Sequence, residues 1–274
     1  MKTTFFKILI IAAVLTGCKE KIDSNLNTSA SKIVIEGSVT NELKKQKVMI
    51  SRTTGFFSQG QIPRVTGATV TIDDGQNQFL LKETDPGIYY SETAFAGVPG
   101  KTYTLTVNVN GQSFFATTSM IPVTQVDSIA IEKATNQLNP DMVLDPKKQW
   151  FNILLYCQEP GNMKNFYLMD AYKNGKLMTD TITKKGFSDD MLYNGSFIDG
   201  TKTLQVDANI GDSITFQLSS IDQQYYQYLR GIYETVINGS PFAGPPSNVK
   251  GNISGGAFGY FYAAAVSFGT KVVK

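Results

Sequence analysis

Apolar residues recur at every second position through most of this chain. Wherever the alternation stops, Gly, Asn, Asp or Pro stands in its place. A period of two places side chains alternately on the two faces of a strand, so the pattern restricts the chain to a mainly β fold. Ile33, Ile35 and Val39 open the series, followed by Val48 to Ser51 and by Ala68 to Ile72 running into Asp73-Asp74-Gly75. Tyr103 to Val109 and Ser113 to Thr118 are separated by a turn at Asn110-Gly111. Both residues of that pair tolerate positive φ, so it predicts a two-residue type I′ hairpin.

Short strands at this turn frequency make a β-sandwich over residues 32–120, of immunoglobulin-like or carboxypeptidase-regulatory-like architecture. Ile121-Pro122-Val123 reads as a linker. The alternation then restarts over 121–274 as an antiparallel sheet of about six to eight strands, open or closed into a barrel. Trp150 to Cys157 is nearly continuous apolar, which predicts a strand covered on both faces. A second Asn-Gly pair, Asn174-Gly175, predicts a hairpin between 165–173 and 176–182. One segment breaks the pattern. Tyr225, Leu229, Ile232 and Val236 recur at helical spacing, which predicts an amphipathic helix over about 222–238. Ser220 and Gln223 have capping-box spacing, and Asp222 is the other candidate cap. Asn238-Gly239 and Pro241 end the helix. Phe258 to Phe268 is a terminal strand.

The first 31 residues belong to neither half. Lys2 and Lys7 precede an apolar run from Ile8 to Leu15, about half of the roughly 20 residues that a spanning helix needs. A basic start, a short apolar core and small residues before the break form a secretory signal over 1–17. Leu15-Thr16-Gly17-Cys18 looks like a bacterial lipobox, which implies cleavage between Gly17 and Cys18 and lipidation of Cys18. Residues 18–31 are polar and small and read as a flexible tether. Lys19-Glu20 resembles a short signal for export to the cell surface; a solvated tether is its plain alternative.

Composition excludes several function classes. Removing Lys2 and Lys7 leaves 23 basic residues against 23 acidic ones. A neutral body argues against a nucleic-acid partner. There is no histidine, so Ser-His-Asp and Cys-His catalysis and every His-based metal site are ruled out. Once Cys18 is lipidated, Cys157 is the one remaining thiol and has no disulfide partner. Within its apolar run it reads as a small core residue rather than a nucleophile. Asp73-Asp74-Gly75 reads as a turn. Asp189-Asp190 reads as a solvated loop in preference to a calcium site, since EF-type spacing is absent. No catalytic, cofactor-binding or metal-ligating residue is assigned. The loop 53–63, with adjacent Phe56 and Phe57, is too long for a tight turn. It either carries a partner contact or covers one end of the sandwich. The loop after the helix, with Phe242, is a second candidate contact.

Several stretches together resemble one family: Lys19 to Asp23 after the lipobox, Ile33 to Gly37, Gly67 to Ile72, and Gly97 to Leu105. With them go Ser219 to Asp222 leading into the Tyr-rich helix, and Pro241-Phe242 through Ile253 to Gly256. These resemble the Bacteroidota lipoproteins grouped as domain-of-unknown-function 4249. The resemblance implies a lipid-anchored outer-membrane protein, facing the cell exterior and accompanying a TonB-dependent (SusC-like) outer-membrane barrel. It carries no cofactor, no catalytic motif and no reaction. Non-enzymatic binding or accessory work is therefore the expected function. The alternatives are a structural component of an outer-membrane assembly or adhesion complex, and a carboxylate-dependent glycan hydrolase.

Overall fold

The computed structural model describes residues 31–54, 60–141, 144–237 and 249–274. The first seven strands are β1 (Ile33–Thr40), β2 (Lys47–Arg52), β3 (Thr69–Asp73), β4 (Gln78–Asp85), β5 (Ile88–Ser91), β6 (Thr102–Val109) and β7 (Gln112–Ser119). Then come β8 (Ser128–Lys133), β9 (Trp150–Gln158), β10 (Phe166–Lys173), β11 (Lys176–Leu177), β12 (Gly186–Asp189), β13 (Phe197–Asp207) and β14 (Ser213–Ile221). Helix α1 (Gln223–Ile237) and the long strand β15 (Phe258–Val272) complete the chain.

The hairpin prediction at Asn110-Gly111 holds in detail. Val109 pairs with Gln112, and the two turn residues have φ of 51° and 72°. Strands β1 to β7 wrap around a core in which Ile35, Ile50, Ile72 and Leu105 are almost fully buried. This is the expected sandwich, but it is not closed by its own residues alone. Strand β15 runs parallel to β1, from Val34 opposite Phe258 to Thr40 opposite Ala264. It adds Phe261, Ala263 and Ala265 to the sandwich core. Its other face carries Tyr260 and Ala264 into a different cluster under α1. Beyond Ala264 the same strand pairs antiparallel with β14, from Ser220 opposite Ala265 to Ser213 opposite Val272. The boundary read at residue 120 is thus bridged by the C-terminal strand, and Lys32–Lys274 forms one compact unit.

The second half differs from the single sheet or barrel expected. It is two sheets. Strands β10, β11, β12, β14 and β15 continue the large sheet, while β8, β9 and β13 form a separate three-stranded sheet. The two enclose a second core around Ile153, Ile214 and Phe216. Strand β9 is covered on both faces, deeply on one and by a partly polar layer on the other. Phe151, Ile153, Leu155 and Cys157 point into that core, whereas Asn152 on the other face is held by Glu132 and Gln205 side chains. The second Asn-Gly turn also forms, with Lys173 opposite Lys176, but its return strand stops at Leu177. Thr179 then bonds the Asp170 carboxylate and accepts the Ala171 N–H, which draws the chain off the strand path. A 3-10 turn at Ile182–Lys184 follows, and β12 takes the place beside β10.

Asp222, not a capping box, starts α1. Its Oδ1 accepts the Tyr225 N–H at 2.7 Å. Ser220 is still in β14, where its hydroxyl accepts the Thr124 N–H instead. Of the predicted stripe, Tyr225 and Leu229 are buried, Ile232 is half-buried and Val236 is exposed, so the helix leaves the sheet toward its end.

Candidate functional site

Two concave features stand out on the compact unit. The first lies on the large sheet, where tyrosines of α1 meet tyrosines of β15 beside β1. Residues 260 and 262 share a face because strand side chains alternate, and 225 and 228 share one because they are three apart on a helix. The result is a four-tyrosine cluster. The Tyr225 ring stacks on Tyr262 with centroids 4.0 Å apart and planes at 12°. Tyr260 lies 4.9 Å from both Tyr225 and Tyr228. These rings wall a cleft of about 370 Å³, with Glu36 and Lys47 at its β1–β2 side. Burial pushes the Tyr228 hydroxyl up to about 12, with the Glu36 charge adding to it. Burial likewise raises Tyr225, Tyr260 and Tyr262. All four hydroxyls therefore stay neutral in ordinary conditions and serve as hydrogen-bond donors and acceptors. Such a cleft suits a small polar molecule with an apolar face, held by ring contact and a few polar groups.

The second feature is a partly open cavity of about 230 Å³ between β9 and β13 on one side and β10 and β14 on the other. Leu155, Cys157, Met169 and Leu218 line its apolar wall. Burial, together with the negative charges of Asp127 and Glu159, pushes the Cys157 thiol up to about 11. The thiolate needed for nucleophilic work is thus disfavoured, in agreement with its reading as a core residue. Two buried carboxylates, Glu159 and Asp190, line this cavity, and Glu159 takes three donors. Its Oε1 accepts Asn165 Nδ2 at 2.7 Å and the Tyr167 hydroxyl at 3.0 Å, and its Oε2 accepts the Gly195 N–H at 2.7 Å. Three bonds from different stretches of chain make it an organiser of these loops.

The acidic pairs have structural roles. Asp74 Oδ1 accepts the N–H groups of Gln76 and Asn77, and its Oδ2 meets Lys101 Nζ at 2.9 Å. Burial works to raise its carboxyl, but Lys101 and those N–H groups outweigh it and hold the value at about 2. Asp189 ends β12 and sits 3.8 Å from Lys164, while buried Asp190 accepts the Asn165 N–H. Among the described residues no group of acidic or cysteine side chains is arranged to hold a metal ion, and no helix is long and apolar enough to cross a membrane.

The residues singled out in the sequence lie elsewhere. Gly17, Cys18, Lys19, Glu20, Phe56, Phe57 and Phe242 all fall outside the described residues. The tyrosine cleft was only half legible. The helical stripe gave Tyr225, but nothing local ties Tyr260 and Tyr262 to a helix 35 residues earlier. The Tyr-x-Tyr alternation in β15 was the one available signal.

A solved two-domain fibronectin type-III segment of chicken tenascin aligns at 10% identity, covering 69% of this chain and 90% of that one, with a TM-score of 0.20. No curated protein sequence matches. A family model described as "Domain of unknown function (DUF4249)" matches residues 19–269.

Proposed function

Because the chain belongs to the DUF4249 family, we propose that it is a lipid-anchored outer-membrane protein, held through Cys18 and acting as a non-enzymatic binding subunit beside a TonB-dependent barrel. The observation that carries this reading is the order of parts in the sequence. A basic and apolar leader ends in Leu-Thr-Gly-Cys, a polar tether follows, and the family match begins at Lys19, one residue past the cysteine. Several features support binding over chemistry: the absence of histidine, the engaged Glu159 carboxylate, the protonated Cys157 thiol, and a cleft of neutral tyrosines. Two or three acyl chains on Cys18 supply anchoring that one chain does not, since one binds a bilayer only marginally. Lys19-Glu20 would direct the mature chain to the cell exterior. The tyrosine cleft is the surface offered to the ligand, and the barrel is the protein partner.

Affinity purification from detergent-extracted envelopes, with the tagged chain at native expression, tests the partnership. A large β-barrel protein recovered in near-equal amount is the expected result. Recovery of the chain alone contradicts it.

A further inference from the structure

The end of the second core carries an apolar tip that packing inside the chain does not use. Met191 and Leu192 are consecutive, and their exposures are 75% and 79%. Tyr193, Phe197 and Met163 add exposed apolar surface in the same two loops. These loops, 160–165 and 190–197, are held against each other backbone to backbone. A Cβ on Gly161 would sit 2.9 Å from the Cα of Gly195, and Gln158 Nε2 donates to the Gly195 carbonyl at 3.2 Å. Buried Glu159 accepts the Gly195 N–H from one side, and buried Asp190 accepts the Asn165 N–H from the other. Tyr193 and Asn194 donate their N–H groups to the Asp190 carbonyl, both at 2.8 Å, which closes the turn that presents Met191 and Leu192. The exposure is thus built by a satisfied hydrogen-bond frame. It is not a frayed end.

We propose that this tip inserts into the surface of the lipid bilayer that holds the chain. The proposal rests on the anchoring reading above. Two large apolar side chains on a turn, each at least three-quarters exposed, are convex; they suit a soft apolar medium better than a preformed pocket. The charges fit as well. Asp190 is buried and Asp189 faces Lys164, so neither carboxylate is left free to oppose insertion. The thirteen residues between Cys18 and Lys32 span at most about 50 Å, so an anchored body stays within reach of the bilayer and even a weak contact is populated.

The test uses the full lipidated chain, reconstituted in phosphatidylethanolamine–phosphatidylglycerol vesicles with brominated acyl chains. In a Trp150→Phe background, which removes the native indole, one indole is introduced by Leu192→Trp, or by Ile210→Trp as a control. Ile210 is 77% exposed but lies in the β13–β14 turn. Emission from the Leu192→Trp variant should shift to the blue and be quenched by the bromolipid, while the control is not. In the Leu192→Trp background, Met191→Asp should weaken quenching by about tenfold in apparent partition, the loss of one buried apolar side chain. Vesicle-bound protein whose Leu192→Trp indole is unquenched overturns the tip and leaves the anchor standing. An indole shielded only when a copurified protein is added also overturns it, and makes the patch a protein contact. A chain that does not float with vesicles overturns the anchor, and the tip's membrane role with it.

Discussion

Replacing Glu159 tests how the second core and its loops are held. The carboxylate is almost completely buried and takes three donors. Glu159→Ala removes all three acceptors at once. Asn165 Nδ2 keeps the carbonyls of Pro160 and Met163, each at 3.1 Å, and the Tyr167 hydroxyl keeps Thr124 Oγ1 at 2.9 Å. The Gly195 N–H loses its charged acceptor. Gly195 is exposed and its N–H can turn to water, so the cost comes mainly from the two buried charge-assisted bonds to Asn165 and Tyr167, and the variant should lose about 3 kcal/mol. Glu159→Gln separates charge from geometry. Whichever way the amide turns, one oxygen remains and one NH₂ faces a donor, so the loss should be about 1–2 kcal/mol. Urea unfolding monitored through Trp150 reads both values, and hydrogen exchange at Gly195 should accelerate ahead of global unfolding. Two variants within about 0.5 kcal/mol of the parent would refute this role for Glu159.

Three further outcomes follow from the same geometry. Gly259 has φ of +98°, and a Cβ there would lie 2.0 Å from the Ile35 carbonyl oxygen, so Gly259→Ala should break the β1–β15 joint and lower stability by well over about 2 kcal/mol in thermal melts. Asp74 is held at about 2 against an ordinary 3.8, so its contribution is complete above pH 4 and disappears as pH falls toward 2; Lys101→Ala should move that loss to higher pH, read as the acid unfolding midpoint. Cys157, pushed up to about 11, should resist iodoacetamide at pH 8 in the folded chain and react once urea unfolds it.

Local features of the fold were legible where neighbours in sequence decide them. Asn110-Gly111 and Asn174-Gly175 both form the predicted turns because positive φ is a property of those two residues. The helix was legible for the same reason, and its cap nearly so. The sequence offered Ser220 and Asp222, and the choice fell to Asp222 because the Ser220 hydroxyl is taken by Thr124, 96 residues away. What could not be read is long-range. Nothing in Ile33 to Thr40 says that its neighbour will be Phe258 to Ala264 in parallel, and that one pairing removes the clean boundary at residue 120. Strand β9 looked two-sided because Leu154 and Tyr156 are apolar, and both faces are covered, with Asn152 marking the partly polar one. Glu159 stands beside a proline with no local mark of its role, which depends on Gly195, 36 residues on.

The account depends most on the sulfur of Cys18. Intact-mass and N-terminal peptide mass spectrometry of the protein extracted from membranes addresses it directly. The predicted species begins at Cys18 and carries a diacylglycerol thioether with an added amide-linked chain. A chain that still begins at Met1, or one that begins at Cys18 with a free thiol and is recovered in the soluble fraction, would contradict it.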